Sequence, residues 1–358
     1  MIKLIKTVRK YASHSMVFFC LFILIWILCA FVGYHVWYMN LIKSYSEFSY
    51  PIEADFVSLY KNFKRNEALP TDIQPINLHP FHYVHSKQKC DFRSGQDVSL
   101  VILVKSSVIN FQLREGIRET WGKTKGENIE IVYLLGYRSA HQAKVDKEAR
   151  LHGDIIQESF IDAYSNNTYK TIMGFKWAVK YCNRATHIMF VDDDHYLVLQ
   201  NLLEYINRLY KSNNDNLMVG YAYFQAEPHR YTISKWSVTI EDYPFDRFPT
   251  YVTAGAYLVS REVAEKLVFS FPYVKYLWLD DIYIGIVSRK LGIIPQHEPK
   301  FNQPFYFLYT DPTNIIYHDF KTKEAFLNAE QFLSGFPKVS PASKMCLYSW
   351  KCLASMLL

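Results

Sequence analysis

An uncharged apolar run constrains this chain more than any other feature. Residues 16–34 read MVFFCLFILIWILCAFVGY, about nineteen residues, which is the length that a helix needs to cross the hydrocarbon core of a bilayer. A cleavable signal peptide is the alternative, but its apolar region is shorter and is followed by a cleavage site of small residues. The sequence therefore predicts a transmembrane signal anchor over residues 16–38.

The charges around this run predict its orientation. Four cations precede it and the first acidic residue is Glu47. The positive-inside tendency then keeps residues 1–15 in the cytosol and places the rest of the chain on the lumenal side, as a type II membrane protein. Without the four cations, the net charge of +6 falls to about +2. Such a balance lacks the concentrated basic surface of a nucleic-acid-binding protein, so we exclude nucleic acid as a partner.

Cysteines and a glycosylation motif fit a lumenal location. Cys20 and Cys29 fall inside the predicted span, and Asn166 begins an Asn-Asn-Thr acceptor for an N-glycan. An even number of lumenal cysteines permits two disulfides in any of three connectivities, and the sequence does not choose among them. The four candidates are Cys90, Cys182, Cys346 and Cys352.

Beyond the anchor, the pattern predicts a stem and one catalytic domain. Residues 39–96 show no helical or alternating period and are interpreted as a lumenal stem. From residue 97, apolar runs such as VSLVILVKSS alternate with helical segments, which predicts an α/β domain with a mostly parallel sheet over residues 97–336. We predict no role for the tail, residues 337–358. No glycine-rich phosphate loop occurs, so any nucleotide phosphates must be held by a metal or by side chains.

Three consecutive acids follow the predicted buried strand THIMFV. Asp192, Asp193 and Asp194 should lie at the carboxyl edge of the sheet, where open α/β folds bind ligands. The first and third share one side of an extended backbone, so they can converge on a hard cation such as Mg²⁺ or Mn²⁺. The alternative is a solvated turn in which one aspartate caps the next helix.

Asp280 and Asp281 open a predicted amphipathic helix. A carboxylate near an incoming hydroxyl can act as a general base. Acids at a helix N-terminus also stabilise the helix dipole, and the residues alone do not decide between these interpretations.

Three further side chains are candidates on weaker grounds. His318 follows a short apolar segment and could supply an imidazole to a metal, although a single histidine is more often a packed or surface residue. Arg114 and Arg118 are one helical turn apart and could clamp diphosphate oxygens. They could equally form surface ion pairs with Glu115 or Glu119.

Taken in order, the motifs REGIRETWG, FVDDD, VTAGAYLVS and DDIYIG resemble the β1,3-glycosyltransferases of glycosyltransferase family 31. Two longer stretches, HGDIIQESFIDAYSNNTYKT and SKWSVTIEDYPFDRFPTYVTAGAYLVS, are similar to the invertebrate Brainiac-type enzymes, which extend glycolipid chains. The resemblance covers roughly residues 98–320.

The resemblance implies a GT-A fold, a UDP-sugar donor, Mn²⁺ dependence, residence in the Golgi membrane and inversion at the anomeric carbon. It also implies a base at Asp281, metal ligands at Asp192, Asp194 and His318, and Gly255 beside the donor sugar. The predicted cofactor-binding positions are Arg114, Arg118, Asp192, Asp193 and Gly255. Two positions depart from the family pattern: Asp280 replaces a common glutamate, and His195 replaces an apolar or aromatic residue.

The predicted function is therefore transfer of a hexosyl group to the 3-hydroxyl of a glycan on a glycolipid or glycoprotein. The longer stretches favour N-acetylglucosamine over galactose as the donor sugar. Two other classes stay open: a lumenal interaction protein that has lost catalysis, and a metal-dependent hydrolase built on the same acids.

Overall fold

The computed structural model describes residues 2–90, 92, 98–123, 128–210, 216–304 and 311–334. The chain divides into two compact units, Met1–Ser49 with Glu227–Phe248 and Tyr50–Ala226 with Pro249–Leu358. The predicted tail, with Cys346 and Cys352, lies outside the described residues. Of the residues predicted as a stem, those from Tyr50 onward belong to the larger unit.

The first unit contains the apolar helix α1 (Ile2–Met39). Its segment Phe18–Tyr38 has a mean hydropathy of 2.4 and, among the described helices, is the one long and apolar enough to cross a membrane. This fits the predicted single-pass anchor. After the helix, Lys43 pairs with the strand-like segment at Phe245, since its N–H donates to the carbonyl of Pro244 at 2.8 Å and its carbonyl accepts from Asp246 at 2.9 Å.

The second unit is an α/β domain. Its helices are α2 (Phe56–Lys64), α3 (Phe111–Glu119), α4 (Ser139–His152), α5 (Asn167–Tyr181), α6 (Leu199–Tyr210), α7 (Arg261–Ser270), α8 (Asp280–Lys290) and α9 (Lys323–Ser334). Its strands are β1 (Tyr83–His85), β2 (Leu100–Lys105), β3 (Ile129–Tyr137), β4 (Ile155–Ile161), β5 (His187–Asp192), β6 (His195–Leu197), β7 (Met218–Tyr223), β8 (Tyr251–Ser260), β9 (Gln296–His297), β10 (Gln303–Pro304) and β11 (Ile316–His318).

The main sheet has the strand order β1-β4-β3-β2-β5-β8-β7-β9. Strands β2, β3, β4 and β5 are parallel, whereas β8 runs antiparallel to both β5 and β7, and β1 runs antiparallel to β4. The sheet is therefore mixed, with the predicted parallel arrangement confirmed at its centre. β2 has every residue buried, as its continuous apolar run predicted. A second, three-stranded sheet has the order β10-β11-β6.

One disulfide joins Cys90 to Cys182, whose Cα atoms are 5.0 Å apart. It connects the segment before β2 to the end of α5, a pairing that the sequence left open.

The glycosylation motif is folded into the domain. Thr168 is buried and its hydroxyl donates to the carbonyl of Leu277 at 2.7 Å, while the Asn166 amide donates to the carbonyl of Ile161 at 2.8 Å. An N-glycan at Asn166 would therefore have to be attached before this segment folds.

Candidate active site

The acidic edge is built by two neighbouring parallel strands. In the β2–β5 register, Lys105 lies opposite Asp192, so the two strands end with a cation beside an anion. The Lys105 ammonium is 3.1 Å from a carboxylate oxygen of Asp192 and donates to Asp280 at 2.9 Å. Because Asp280 opens α8, this buried lysine joins the strand-end acids to the acids at the helix N-terminus.

The structure brings three potential metal ligands together. Oxygen atoms of Asp192 and Asp194 and a ring nitrogen of His195 lie within 4.8 Å of one another. Hard carboxylate oxygens with one imidazole form a donor set that suits Mn²⁺, so these residues fit the ion that the sequence implied. The predicted convergence of the first and third acids is thus present in the geometry.

His318 is placed beside this group through His195. β11 pairs antiparallel with β6, with His318 opposite His195, and the two ring centroids are 5.9 Å apart. His195 also forms a 2.7 Å hydrogen bond with Asp194. Sequence reasoning noted His195 only as a departure from the family pattern, yet within the described residues it lies nearer to the two carboxylates than His318 does.

The middle acid of the triplet faces the protein interior. Asp193 is buried and accepts hydrogen bonds from the Ser106 hydroxyl at 2.6 Å and from the Asn110 amide at 2.9 Å. Asp193 lies in the turn between β5 and β6, and its bonds to Ser106 and Asn110 hold its carboxylate apart from the group of metal ligands. A cofactor-binding role for Asp193 does not fit this arrangement, in which it anchors the strand end to the loop after β2.

The predicted diphosphate clamp does not form. Arg114 is fully buried, and its guanidinium donates to both carboxylate oxygens of Glu148 at 2.8 and 2.7 Å. Arg118 donates to both oxygens of Asp154 at 2.9 Å and to Glu148 at 2.7 Å. Both arginines form ion pairs, as the alternative interpretation proposed. Their partners are the buried acids Glu148 of α4 and Asp154 before β4, not Glu115 or Glu119.

Replacing Arg114 tests this structural role. Arg114→Met should lower the free energy of unfolding by about 3–5 kcal/mol, because it leaves the buried Glu148 with only part of its ion pairing. UDP affinity per folded molecule should stay near that of the wild type. Denaturant unfolding and UDP titration measure the two quantities. Loss of UDP binding without loss of stability would support the predicted diphosphate clamp instead.

Asp280 and Asp281 occupy distinct environments at the start of α8. Asp280 is buried and accepts from Lys105 and, at 2.8 Å, from the Thr171 hydroxyl. Burial opposes its ionisation, but the ammonium of Lys105 outweighs it and lowers the pKa of Asp280. Burial, with the adjacent charge of Asp280, raises the pKa of Asp281 to about 7. A pair separated in this way contains one permanent anion and one carboxylate poised to take a proton near neutral pH.

Similar effects separate the strand-end acids. Burial raises the pKa of Asp192 to about 6, although the Lys105 ammonium works against it. For Asp194, burial is outweighed by hydrogen bonds from His195 and Lys321, so its pKa lies well below the usual value. Asp194 is thus an anion at any physiological pH.

Lys105 is expected to hold this arrangement together. Lys105→Met leaves Asp280 and Asp192 without their shared cation, so the pKa of Asp280 should rise and α8 should shift. We expect turnover to fall about 10- to 100-fold, as for other residues that orient a site. Turnover of the folded variant measures this, and wild-type turnover would contradict it.

Gly255 lies against His195. A Cβ at this position would come within 2.7 Å of the His195 ring nitrogen Nε2, too close for any real side chain. The resemblance placed Gly255 beside the donor sugar. In the structure, the His195 imidazole already leaves no room for a side chain at this position.

Sequence reasoning missed two groups here. Lys105 was signalled only as a charge at the end of an otherwise apolar strand. Tyr257 gave no signal in the sequence. Its hydroxyl is buried without a hydrogen-bond partner in the described structure. Burial raises the pKa of Tyr257, and the nearby charges of Asp280, Asp192 and Asp281 raise it further.

An α/β sheet whose parallel strands end in carboxylates, beside a second acidic pair, defines an enzyme with an acidic catalytic edge. The Galactosyltransferase family matches residues 112–299, and the chain belongs to this family, glycosyltransferase family 31. Its relatives are named for β1,3-glycosyl transfer, which supports a β1,3-glycosyltransferase.

Two relatives illustrate the match. The β1,3-galactosyltransferase brn of Drosophila melanogaster is 41% identical over 59% of this chain and 66% of its own length. The human lactosylceramide 1,3-N-acetyl-β-D-glucosaminyltransferase is 33% identical over 73% of this chain and 69% of its own. Among solved structures, mouse xyloside xylosyltransferase 1 aligns over 62% of this chain and 97% of its own. The alignment has a TM-score of 0.33 and 11% sequence identity.

Proposed function

We propose that the chain transfers a hexosyl group from a UDP-sugar to the 3-hydroxyl of an acceptor glycan, with inversion, on a GT-A-type domain. One observation carries the proposal. Lys105 joins the strand-end acids, which suit a metal and diphosphate, to the helix that presents a carboxylate with a raised pKa. Leaving-group and proton-transfer chemistry thus meet in one site.

Asp281 is the proposed base. Its carboxylate accepts the proton of the acceptor 3-hydroxyl as that oxygen forms the bond to the anomeric carbon and the bond to UDP breaks. Attack opposite the leaving group gives a β linkage from an α-linked donor. Asp280, held ionised by Lys105, keeps the proton affinity of Asp281 high and orients the first turn of α8.

Asp192, Asp194 and His195 or His318 would hold Mn²⁺. When bound, the ion supplies positive charge against the diphosphate of the departing UDP. Asp194 contributes a permanent negative charge to this position, and His195 orients its carboxylate by the 2.7 Å hydrogen bond.

The donor sugar is proposed from similarity alone. The Brainiac-like stretches and the human relative support N-acetylglucosamine, whereas the printed name of the Drosophila relative supports galactose. A glycolipid acceptor is supported by the lactosylceramide in the name of the human relative. With the apolar helix α1, this fits an enzyme anchored in the Golgi membrane with its catalytic domain in the lumen.

The raised pKa of Asp281 predicts a pH profile. The base acts in its ionised form, so kcat/KM should fall as the pH drops through about 7 and level off above it. The measurement is kcat/KM from about pH 5 to pH 9, which reports the ionisation of the base before substrate binds. A profile that stays flat through neutrality would contradict the assignment.

UDP release tests the function as a whole. Full-length protein in detergent micelles is incubated with Mn²⁺ and either UDP-N-acetylglucosamine or UDP-galactose, with and without a β-glycoside acceptor. We expect release with one donor and only with acceptor. Release of free sugar or phosphate without acceptor would indicate the hydrolase instead, and no release with any acceptor would indicate a non-catalytic interaction protein.

A further inference from the structure

Aromatic side chains form an exposed platform where β7 ends and β8 begins. We define the platform as Tyr223, Phe224 and Tyr251. Tyr223 and Tyr251 are cross-strand partners whose rings stack with centroids 5.6 Å apart and an interplanar angle of 26°. Tyr223 is 44% exposed and Phe224 is 61% exposed. Tyr223 and Phe224 therefore present apolar surface to solvent, and the Tyr223 ring is held against that of Tyr251.

The platform adjoins the proposed base. α8 packs against β8 at Tyr251, where a Cβ on Gly285 would lie 2.7 Å from the Tyr251 Cβ. Asp281 is one turn before Gly285 and so lies on the same face of the helix. Tyr251 also senses Asp281 electrostatically, because burial and then the Asp281 charge raise the pKa of Tyr251. Tyr251, with Tyr223 stacked on it, therefore lies beside the helix turn that carries the Asp281 carboxylate.

Stacked tyrosines beside a carboxylate suit a sugar. One face of a hexopyranose carries C–H bonds, whose partly positive hydrogens are attracted to the negative face of an aromatic ring. The edge of the sugar ring carries hydroxyl groups that need polar partners. Ligand sites commonly combine aromatic walls with a few such polar groups, and tyrosines held in a stack lose little further freedom on binding.

We propose that Tyr223, Phe224 and Tyr251 form the acceptor subsite, on which the apolar face of a hexopyranoside stacks while its 3-hydroxyl reaches Asp281. This inference rests on the proposed function, since it assigns the acceptor of the same reaction. The platform selects a pyranoside acceptor and is separate from the acids that suit the diphosphate.

Steady-state kinetics of ring deletions test the subsite. The probes are p-nitrophenyl β-galactoside and β-mannoside as acceptors, with full-length protein at saturating donor. Tyr223→Ala should raise the acceptor KM about 2- to 15-fold, the loss expected for one aromatic contact, and leave UDP affinity unchanged. Tyr223→Phe keeps the ring and should stay within about twofold of the wild type.

Phe63→Ala is the matched control. Phe63 is a 51% exposed aromatic residue on α2, and its ring centroid lies 4.9 Å from that of Phe269. It therefore resembles the platform residues but belongs to another surface. It should leave the acceptor KM unchanged. If Tyr223→Ala does not fold, Phe224→Ala repeats the test.

The outcomes separate this proposal from the function that it builds on. A wild-type acceptor KM in both Tyr223→Ala and Phe224→Ala would overturn the subsite while transfer itself stands. If the wild type transfers no sugar, saturation-transfer NMR with the same pyranosides still reports binding. Ring contacts that vanish in Tyr223→Ala would support the subsite, and binding that is absent or unchanged would overturn it.

Discussion

Asp281→Asn should reduce turnover by about 10²- to 10⁴-fold while UDP affinity stays close to that of the wild type. The amide is nearly the same size as the carboxyl group but cannot accept the proton of the attacking hydroxyl. The loss should therefore appear in kcat. Steady-state turnover with saturating donor and acceptor gives the first quantity, and calorimetric titration with UDP and Mn²⁺ gives the second.

The competing interpretation of Asp281 is a helix-stabilising acid, and the chain offers a control for it. Glu262 lies in the first turn of α7 and pairs with Lys266 at 3.5 Å. Glu262→Gln removes a comparable charge from a helix N-terminus, which affects stability by about 0.3–1 kcal/mol. It should retain full turnover. Equal losses in the two variants, or full activity in Asp281→Asn, would remove Asp281 as the base.

Asp194→Ala should abolish Mn²⁺-dependent UDP binding. Asp194 contributes a permanent anion to the group with Asp192 and His195, and alanine offers no ligand in its place. Affinity for UDP should then become the same with Mn²⁺ and with a chelator. The measurement is a UDP titration under both conditions.

Asp319→Asn is the control for this second variant. Asp319 also pairs with Lys321, at 3.0 Å, but does not belong to the group of three ligands. Asparagine tolerates its left-handed backbone, with φ of 84°. This variant should bind UDP with the wild-type metal dependence. Metal-dependent binding that survives in Asp194→Ala would refute the metal role of the acidic edge.

Local sequence patterns predicted the parts of the fold that depend on local chemistry. The continuous apolar run of β2 implied burial on both faces, and the acids after β5 had to lie at the carboxyl edge because parallel strands end there. The antiparallel placement of β8 between β5 and β7 was not predictable in the same way. Its antiparallel pairing with β5 depends on long-range packing, and the same holds for the joining of residues 227–248 to the anchor unit.

The candidate site shows the same division. Asp192 ends β5 and Asp194 lies in the turn that follows, so their closeness is a local feature of the chain that the spacing predicted. Arg114 and Arg118 were misinterpreted because their partners, Glu148 and Asp154, are distant in sequence. Nothing local showed that Arg114 would be buried or that Arg118 would be half-buried.

Lys105 was missed for a similar reason. Its meaning depends on Asp280, 175 residues away, and on the register of two strands. Pairings between distant charges need the fold, whereas spacing within one element does not.

A single inverting displacement at this acidic edge fixes the structure of the product. That structure can be determined by NMR after incubation of the full-length protein with its UDP-sugar, Mn²⁺ and a β-glycoside acceptor. We expect one new bond to the acceptor 3-oxygen in the β configuration. A product with an α linkage, or a bond to another hydroxyl, would contradict it.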